Sequence, residues 1–422
     1  MEYSLLTEVE QALQKNIARQ SQNHGAMLTT DRSRRLAEYV GSPHRQLKVA
    51  HVAGTSGKTS TSYFMASLLG ASGASVGLTV SPHIDSLTER VQVNGAPLDE
   101  KTFCAYFSEF SQLIEGFGET PSYFEFLLVF ALWVFAREQV EYAVLETGLG
   151  GLYDSTNICR ESNKVCIITD IGLDHTEFLG DTLGEIAAQK AGIIAPDNDV
   201  FMYQQSDDVM RTVEASVRAA NARLHAVAPL RDEDMPPTTA VQYQQRNWGL
   251  AYQVYRFIAA RDTLPQLTLS QQSATISTHV PGRMDTIGIG DKTLVLDGAH
   301  NQQKLTTFFA SFRAHYPSSR PVALLALKQT KDVASVASVI TQYCDAAIIT
   351  TFTKEQDMPT GAHEPANIAD MLRGAGLQSV HIEPNPETAL GLLIDLTHDV
   401  GIVIGSFFLV AEIRRLLAKN VV

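Results

Sequence analysis

Residues 47–61 form an apolar run that breaks into Gly54, Thr55, Ser56, Gly57, Lys58, Thr59 and Ser60, the pattern of a strand entering a phosphate-binding loop. Glycines let backbone N–H groups turn toward an anion, and the following helix adds the positive end of its dipole. A lysine there reaches the outer phosphates, and a hydroxyl can hold Mg²⁺. The expected ligand is a nucleoside triphosphate. The strict G-x-x-x-x-G-K-[ST] pattern is not met, because Val52 stands where its first glycine belongs. A Gly-Lys-Thr triplet alone is equally consistent with a plain strand–turn–helix junction. The rest of the chain has to decide.

Four further polar clusters stand at expected strand ends. Ser81, followed by Pro82 and His83, can complete a Mg²⁺ shell or cap a helix. Glu146 closes a buried strand and opens the turn Thr147, Gly148, Leu149, Gly150, Gly151. A buried carboxylate is costly unless paired or on a metal, and Mg²⁺, which takes hard oxygens shared with phosphate, is its natural partner. Asp174 and His175 precede Thr182, from which helical spacing puts Ile186 and Lys190 on one face, so that Lys190 points inward. An ion pair, a snorkelling stem and catalysis each explain an inward lysine, and His175 alone reads equally as an ordinary histidine. Pro281, Gly282 and Arg283 precede Asp297, Gly298, Ala299, His300 and Asn301. Arg283 can clamp a phosphate and Asp297 and His300 can reach into a cleft, although Asp-Gly is also turn chemistry.

These residues need elements to position them. A helix over 59–70 and short apolar runs at 75–80, 142–147 and 164–170 predict βαβ units with buried parallel strands, whose carboxyl ends would carry Ser81, Glu146 and Asp174. Residues 206–220 and 244–260 read as helices, and the polar stretch 263–278 as the domain boundary. Strand candidates then restart at 294–296, 322–327, 346–350, 380–382 and 402–404. The predicted fold is α/β: a P-loop-type, mostly parallel sheet domain over 1–280, followed by a smaller Rossmann-like α/β domain over 281–422. The chain shows neither an internal repeat nor a low-complexity tract.

A length of 422 residues favours two cores over one, and 45% hydrophobic with 19% charged residues suits a globular protein. A net charge of −13 argues against a general nucleic-acid or anionic-membrane binder, which needs a basic face. Cys104, Cys159, Cys166 and Cys344 have no metal-ligand spacing and read as free thiols of a reducing compartment. Glu2, Glu8 and Glu10 do not fit a signal peptide, and the longest apolar run, 126–136, is far short of the roughly 20 residues of a membrane span. That run is expected to be a buried helix, and the protein a cytoplasmic monomer.

Taken in order, the loop 54–60, Ser81-Pro82-His83, Thr88-Glu89-Arg90-Val91 with Val93-Asn94-Gly95, 146–151 with 154–157, Asp174-His175 through Lys190-Ala191-Gly192, Pro281-Gly282-Arg283, 297–301 and 406–412 resemble the folylpolyglutamate synthase and dihydrofolate synthase family, part of the Mur ligase-like superfamily. The resemblance implies that Gly54 to Ser60, with Lys58, bind ATP phosphates. It places Thr59 or Ser60 near a first Mg²⁺ and makes Ser81, Glu146 and His175 metal ligands, with two Mg²⁺ ions expected. Lys190 becomes the lysine that is carbamylated in many relatives, and Asn247 the asparagine near the adenine. Arg283, Asp297 and His300 complete the ATP site. Ser56 and Thr59 stand where the folate branch usually has Asn and Gly, Leu152 replaces an arginine, and Gln302 follows Asn301 where proline is usual.

The implied reaction joins glutamate to a folate carboxylate through an acyl phosphate, with Lys58, Lys190, His175 and Arg283 at the chemistry. The substrates are ATP, L-glutamate and either a folate or dihydropteroate. Tyr123 and Phe124 can stack on a pterin or fill the core, and His83 and Arg90 divide between substrate contact and structural pairing. The alternatives are dihydrofolate synthase activity, alone or combined, a wall-precursor ligase, and a P-loop kinase or nucleotide switch. The kinase class has no use for Glu146, His175 and Lys190 at these spacings.

Overall fold

The structure, a computed structural model, describes residues 3–21, 29–352 and 361–420, so Glu2 lies outside it. The chain divides into two compact units. One runs to Ala240 and resumes from Gln244 to Thr278; the other comprises Val241–Tyr243 and the chain from His279 onward.

Among the described residues the first unit holds eight strands: β1 Lys48–Ala53, β2 Val76–Thr79, β3 Gln92–Val93, β4 Ala96–Pro97, β5 Tyr142–Glu146, β6 Val165–Ile168, β7 Asp199–Tyr203 and β8 Arg223–Val227. They form one sheet in the order β4-β3-β2-β5-β1-β6-β7-β8. It is parallel except for β3 and β4. β1 lies between β5 and β6, with Val52 opposite Glu146 and Ala53 opposite Ile168. This register brings the carboxyl ends of three strands level and sets the glycine loop beside Glu146. Helices cover both faces of such a sheet, which explains why β1, β2 and β5 read as continuous apolar runs with almost every residue buried.

The run 126–136 is indeed a buried helix, Tyr123–Arg137, started by a capping box between Ser122 and Glu125. Its Phe126 and Phe130 pack with Phe103, Phe107 and Phe110 in one aromatic core, ring centroids 5.0 to 6.5 Å apart. The polar stretch 263–278 contains a helix, Leu269–Ile276, with its own capping box. Trp248 Nε1 donates to Thr275 Oγ1 at 3.0 Å and Gln271 Nε2 to the Ala71 carbonyl at 2.8 Å, so polar composition here marks packing against a neighbouring surface. The strands β3, β4, β7 and β8 have no counterpart among the apolar runs picked out above. β8 is a half-exposed edge whose alternation is too weak to stand out.

At the amino ends of β1 and β5, away from the glycine loop, Asp262 accepts from Tyr142 Oη at 2.6 Å and Arg261 Nε at 2.7 Å, with Lys48 Nζ 3.5 Å away. Burial raises its carboxyl, but Arg261, Tyr142 and Lys48 more than reverse this and set it at about 2. With the folded value below the ordinary one of about 3.9, the resulting stability is present above pH ~4 and drains away as pH falls toward 2. Asp262→Asn should therefore lower the unfolding midpoint by a few degrees at pH 7. The gap to the parent should close between about pH 4 and 2 in denaturant titrations, and a constant gap would contradict the assignment.

The second unit holds, among the described residues, β9 Asp285–Ile289, β10 Lys292–Leu296, β11 Val322–Leu325, β12 Ala346–Ile349, β13 Ser379–Ile382 and β14 Val400–Ile404. Their order is β13-β12-β11-β14-β10-β9, parallel apart from β9, which turns back on β10 as a hairpin that the sequence pattern does not announce. The four cysteines are free and buried. None of the described helices is long and apolar enough to cross a membrane.

Candidate functional site

β1 ends at Ala53, and the next residues are held by the neighbouring strand: Thr55 and Ser56 N–H both donate to the Asp170 carbonyl, at 2.9 and 3.1 Å. Thr55 Oγ1 donates to the Gly172 carbonyl at 3.0 Å. The helix Lys58–Ala71 starts at once from Gly57 (φ +90°), and helical geometry leaves the N–H groups of its first turn without intrahelical carbonyls. Such an end is suited to an anion. Two glycines make the bend possible. At Gly54 (φ +154°) a Cβ would stand 1.8 Å from Thr169 Oγ1, and at Gly57 it would stand 2.5 Å from Asn247 Oδ1. Gly54→Ala should thus cost about 2–3 kcal/mol of stability and most of the nucleotide affinity. Calorimetric titration with ADP beside a thermal melt checks this, and unchanged binding would refute it.

Both predicted lysines reach this loop. Lys58 Nζ donates to the Gly54 carbonyl at 3.1 Å, and Lys190 Nζ, from the helix Leu183–Ala191, donates to the same oxygen at 2.9 Å. Lys190 is 4% exposed, so the helical spacing from Thr182 gives its direction rightly. Asn247 lies against Gly57.

Glu146, 3% exposed at the end of β5, is gathered with two other predicted metal residues. Its Oε1 accepts from Thr59 Oγ1 at 2.8 Å and its Oε2 from the Ser81 N–H at 3.1 Å. His175 is placed differently. It takes a left-handed conformation (φ +52°) ahead of a single helical turn, 3.9 Å from the carboxylates of Asp174 and of Glu177. Ser60 is buried in the first turn of its helix. Among the described residues no three His, Cys, Asp or Glu gather as a metal cage. The donors present are a carboxylate and hydroxyls, hard oxygens of the kind that hold Mg²⁺ together with water and phosphate oxygens.

The aromatic pair at the start of the helix Tyr123–Arg137 divides. Tyr123 packs into the aromatic core at 5% exposure, with the Arg90 guanidinium 5.7 Å over its ring. Phe124 instead lines a small cavity with Ser81, Arg90, Leu127, Glu146 and Thr156. Arg90 and His83 are both buried, and Arg90 Nε donates to His83 Nδ1 at 3.3 Å.

In the second unit, the Asp297 carboxylate follows β10 and is 3% exposed. It accepts from the Ala299 N–H at 2.8 Å, the Met284 N–H at 3.0 Å and Tyr243 Oη at 3.0 Å. Burial pushes its carboxyl up, opposed first by the nearby Arg283 charge. The Arg283 guanidinium lies 4.2 Å over the Phe407 ring, a cation–π contact. His300 Nδ1–H donates to the Gly298 carbonyl at 2.7 Å, and Lys304 Nζ donates to His300 Nε2 at 2.9 Å. Sequence reasoning missed Tyr243, Phe407 and Lys304, as well as Asp170, whose carboxylate is held by Arg246 at 2.8 Å while its carbonyl anchors the loop. Asp170 ends a predicted strand, but nothing local marks its carbonyl as a loop anchor.

A parallel sheet whose central strand feeds a glycine loop and helix, with a buried carboxylate on the next strand, defines a P-loop-type nucleotide-binding unit. The family model of the Mur ligase middle domain matches residues 52–285, and that of the Mur ligase glutamate ligase domain matches 282–407. The chain belongs to the Mur ligase family, within its folylpolyglutamate synthase and dihydrofolate synthase group. It is 34% identical to the mitochondrial folylpolyglutamate synthase of Bos taurus over 331 residues, 69% of this chain but 56% of that protein, so it spans about half of that relative. Identity to the dihydrofolate synthetase of Saccharomyces cerevisiae is 26% over 423 residues, 92% of this chain and 97% of the relative. A solved Mycobacterium tuberculosis folylpolyglutamate synthase complexed with ADP superposes with a TM-score of 0.85 at 25% identity, covering 97% of this chain and 98% of that one.

Proposed function

We propose that this chain is an ATP-dependent ligase that adds L-glutamate to the terminal carboxylate of a folate. The observation that carries the reading is the buried Glu146 carboxylate, bonded to Thr59 of the glycine loop and to the Ser81 N–H. A nucleotide switch needs only the loop. A ligase must also neutralise two anions brought together, a triphosphate and a carboxylate, and a buried acid with hydroxyls beside it is suited to the divalent cation that does so. Residues 1–280 serve as the ATP-binding part and 281–422 as the glutamate-ligase part.

In this reading the loop N–H groups and Lys58 hold the ATP phosphates. Glu146, Thr59 and Ser81 hold one Mg²⁺ and His175 belongs to a second, and bound Mg²⁺ supplies positive charge to the phosphate oxygens. The folate carboxylate oxygen attacks the γ-phosphorus, the bond to the ADP oxygen breaks, and an acyl phosphate forms. The glutamate amine then attacks the acyl carbon, loses a proton and expels inorganic phosphate. No protein nucleophile takes part. Positioning of the reactants contributes roughly 7–11 kcal/mol in such reactions, and fixed cations aimed at the transferring phosphoryl group add to it. Asn247 serves the adenine side, while Arg283, Asp297 and His300 complete the nucleotide contacts. Phe124, Arg90 and His83 belong to the folate side.

Lys190 is assigned as a carbamylated lysine. Its nitrogen stands at the Gly54 carbonyl, and a carbamate there adds an anion in the surroundings of the loop, where cations are to bind. Native mass spectrometry before and after removal of bicarbonate tests it, since loss of one CO₂ equivalent is expected.

Phosphate release from ATP should require a folate and glutamate together. Release with a nucleotide or a sugar peptide as acceptor would instead support a kinase or wall-precursor ligase. The alternative acceptor is dihydropteroate, used alone or beside a folate. A product assay setting dihydropteroate beside tetrahydrofolate decides between one activity and both.

A further inference from the structure

His51 is wholly buried in β1, three residues upstream of Gly54, and no role above uses it. Its Nε2 lies 2.8 Å from Thr156 Oγ1 and 3.3 Å from Thr147 Oγ1. Thr156 Oγ1 is in turn 2.5 Å from Asp154 Oδ1, which also accepts the Thr156 N–H at 3.0 Å. Asp154 Oδ2 accepts the Leu149 N–H at 2.9 Å. These contacts assign the protons. Asp154, already an acceptor on both oxygens, also accepts the hydrogen bond that the Thr156 hydroxyl donates, so the Thr156 oxygen is left to accept and His51 Nε2 must donate. His51 Nδ1 is buried without a hydrogen-bond partner, the position of the bare nitrogen in that tautomer.

The chain of bonds has a direction. It starts on the strand that carries the glycine loop and passes through Thr156, which lines the cavity shared with Glu146 and Ser81. It ends on the Gly-rich turn three residues beyond Glu146. Thr147, next to Glu146, meets the same Nε2–H and pairs its own N–H with the Val52 carbonyl at 2.9 Å.

We infer that His51 is a positioning residue: a neutral Nε2–H donor that locks the Thr156–Asp154 bridge onto the turn after β5 and thereby holds Glu146 level with Thr59 and Ser81. The inference rests on the ligase reading for its kinetic consequences, but not for its structural ones. A gap left in such an outer layer typically costs 10–100-fold in metal affinity or activity.

The test compares His51→Gln, which returns an amide N–H near the Nε2 position, with His51→Leu and Thr156→Val, which remove the donor and the bridge. In the full-length protein His51→Leu and Thr156→Val should each lower kcat about 10–100-fold and raise the Mg²⁺ concentration for half-maximal rate, with KM for ATP changed less than about three-fold. The double variant should be no worse than either single one, and His51→Gln should recover most of the rate. Equal loss in His51→Gln and His51→Leu, or additive losses, would overturn the inference by making His51 a packing residue. Nitrogen NMR of the parent should show the proton on Nε2 and not on Nδ1, and Thr156→Val should move the Leu149 amide resonance; a proton on Nδ1 or an unmoved amide overturns it as well. Should the parent fail to ligate any folate, the functional reading falls while these NMR results still decide the network. If His51→Leu does not fold, Thr156→Val and the parent's tautomer carry the decision.

Discussion

Lys58→Ala lowers ATP-dependent ligation by about 10²–10³-fold or more and leaves the thermal unfolding profile close to that of the parent. The two halves of that expectation have separate causes. In the folded protein Lys58 Nζ bonds the Gly54 carbonyl within its own loop, a single neutral acceptor whose loss is worth about 1 kcal/mol. During phosphoryl transfer the same ammonium would stand among the oxygens where charge is shifting, and an acidic chain with net charge −13 has few fixed cations to replace it. Phosphate release in the presence of folate and glutamate, measured beside a melt, checks both. Substantial turnover in Lys58→Ala would remove the lysine from the mechanism. A large drop in the unfolding midpoint with turnover intact would make it structural.

The second large effect is at Glu146, where two substitutions should behave differently. Glu146→Gln keeps the volume: its amide oxygen can accept from the Ser81 N–H and its amide nitrogen can donate to the Thr59 hydroxyl, which turns to accept, while the negative charge is lost. Ligation should fall about 10²-fold or more, with partial recovery at raised Mg²⁺ and a nearly unchanged melt. Glu146→Ala abolishes ligation outright and also leaves the half-buried Ser81 N–H and Thr59 hydroxyl without this acceptor, which adds about 1 kcal/mol of destabilisation. Activity titrations over Mg²⁺ concentration separate these outcomes. If Glu146→Gln lost activity with no change in its Mg²⁺ dependence, the carboxylate would not be a metal anchor.

Much of the site behind these expectations is legible in the order of residues along the chain. The loop 54–60, the strand ending at Glu146 and the inward face of Lys190 are local features: a glycine break in an apolar run, a carboxylate at its end, and a spacing of four and eight residues from a helix cap. Each depends on neighbours within a few positions. The hairpin of β9 on β10 and the edge strand β8 are not legible in this way, because half-exposed strands carry weak alternation and their pairing partners define them. The polar stretch 263–278 does end where the two units divide, at Thr278, yet it holds a packed helix and is not a plain linker. Polarity marks a linker only when no neighbouring surface takes up the polar groups, and here Trp248 bonds Thr275 while the Ala71 carbonyl accepts from Gln271.

By itself, the sequence determined the glycine loop between strand and helix, the acid at the end of β5, the direction of Lys190 and the division into two α/β parts, since periodicity and punctuation are set by short-range sterics. Only the tertiary structure decided that Thr59 and Ser81 close on Glu146, that Phe124 lines the cavity while Tyr123 joins the core, and that His51 reaches Thr156 across 105 positions of chain. The physical reason lies in the sheet. Which strand lies beside β1, and in what register, follows from burying whole faces against helices at once, and no local pattern encodes that choice.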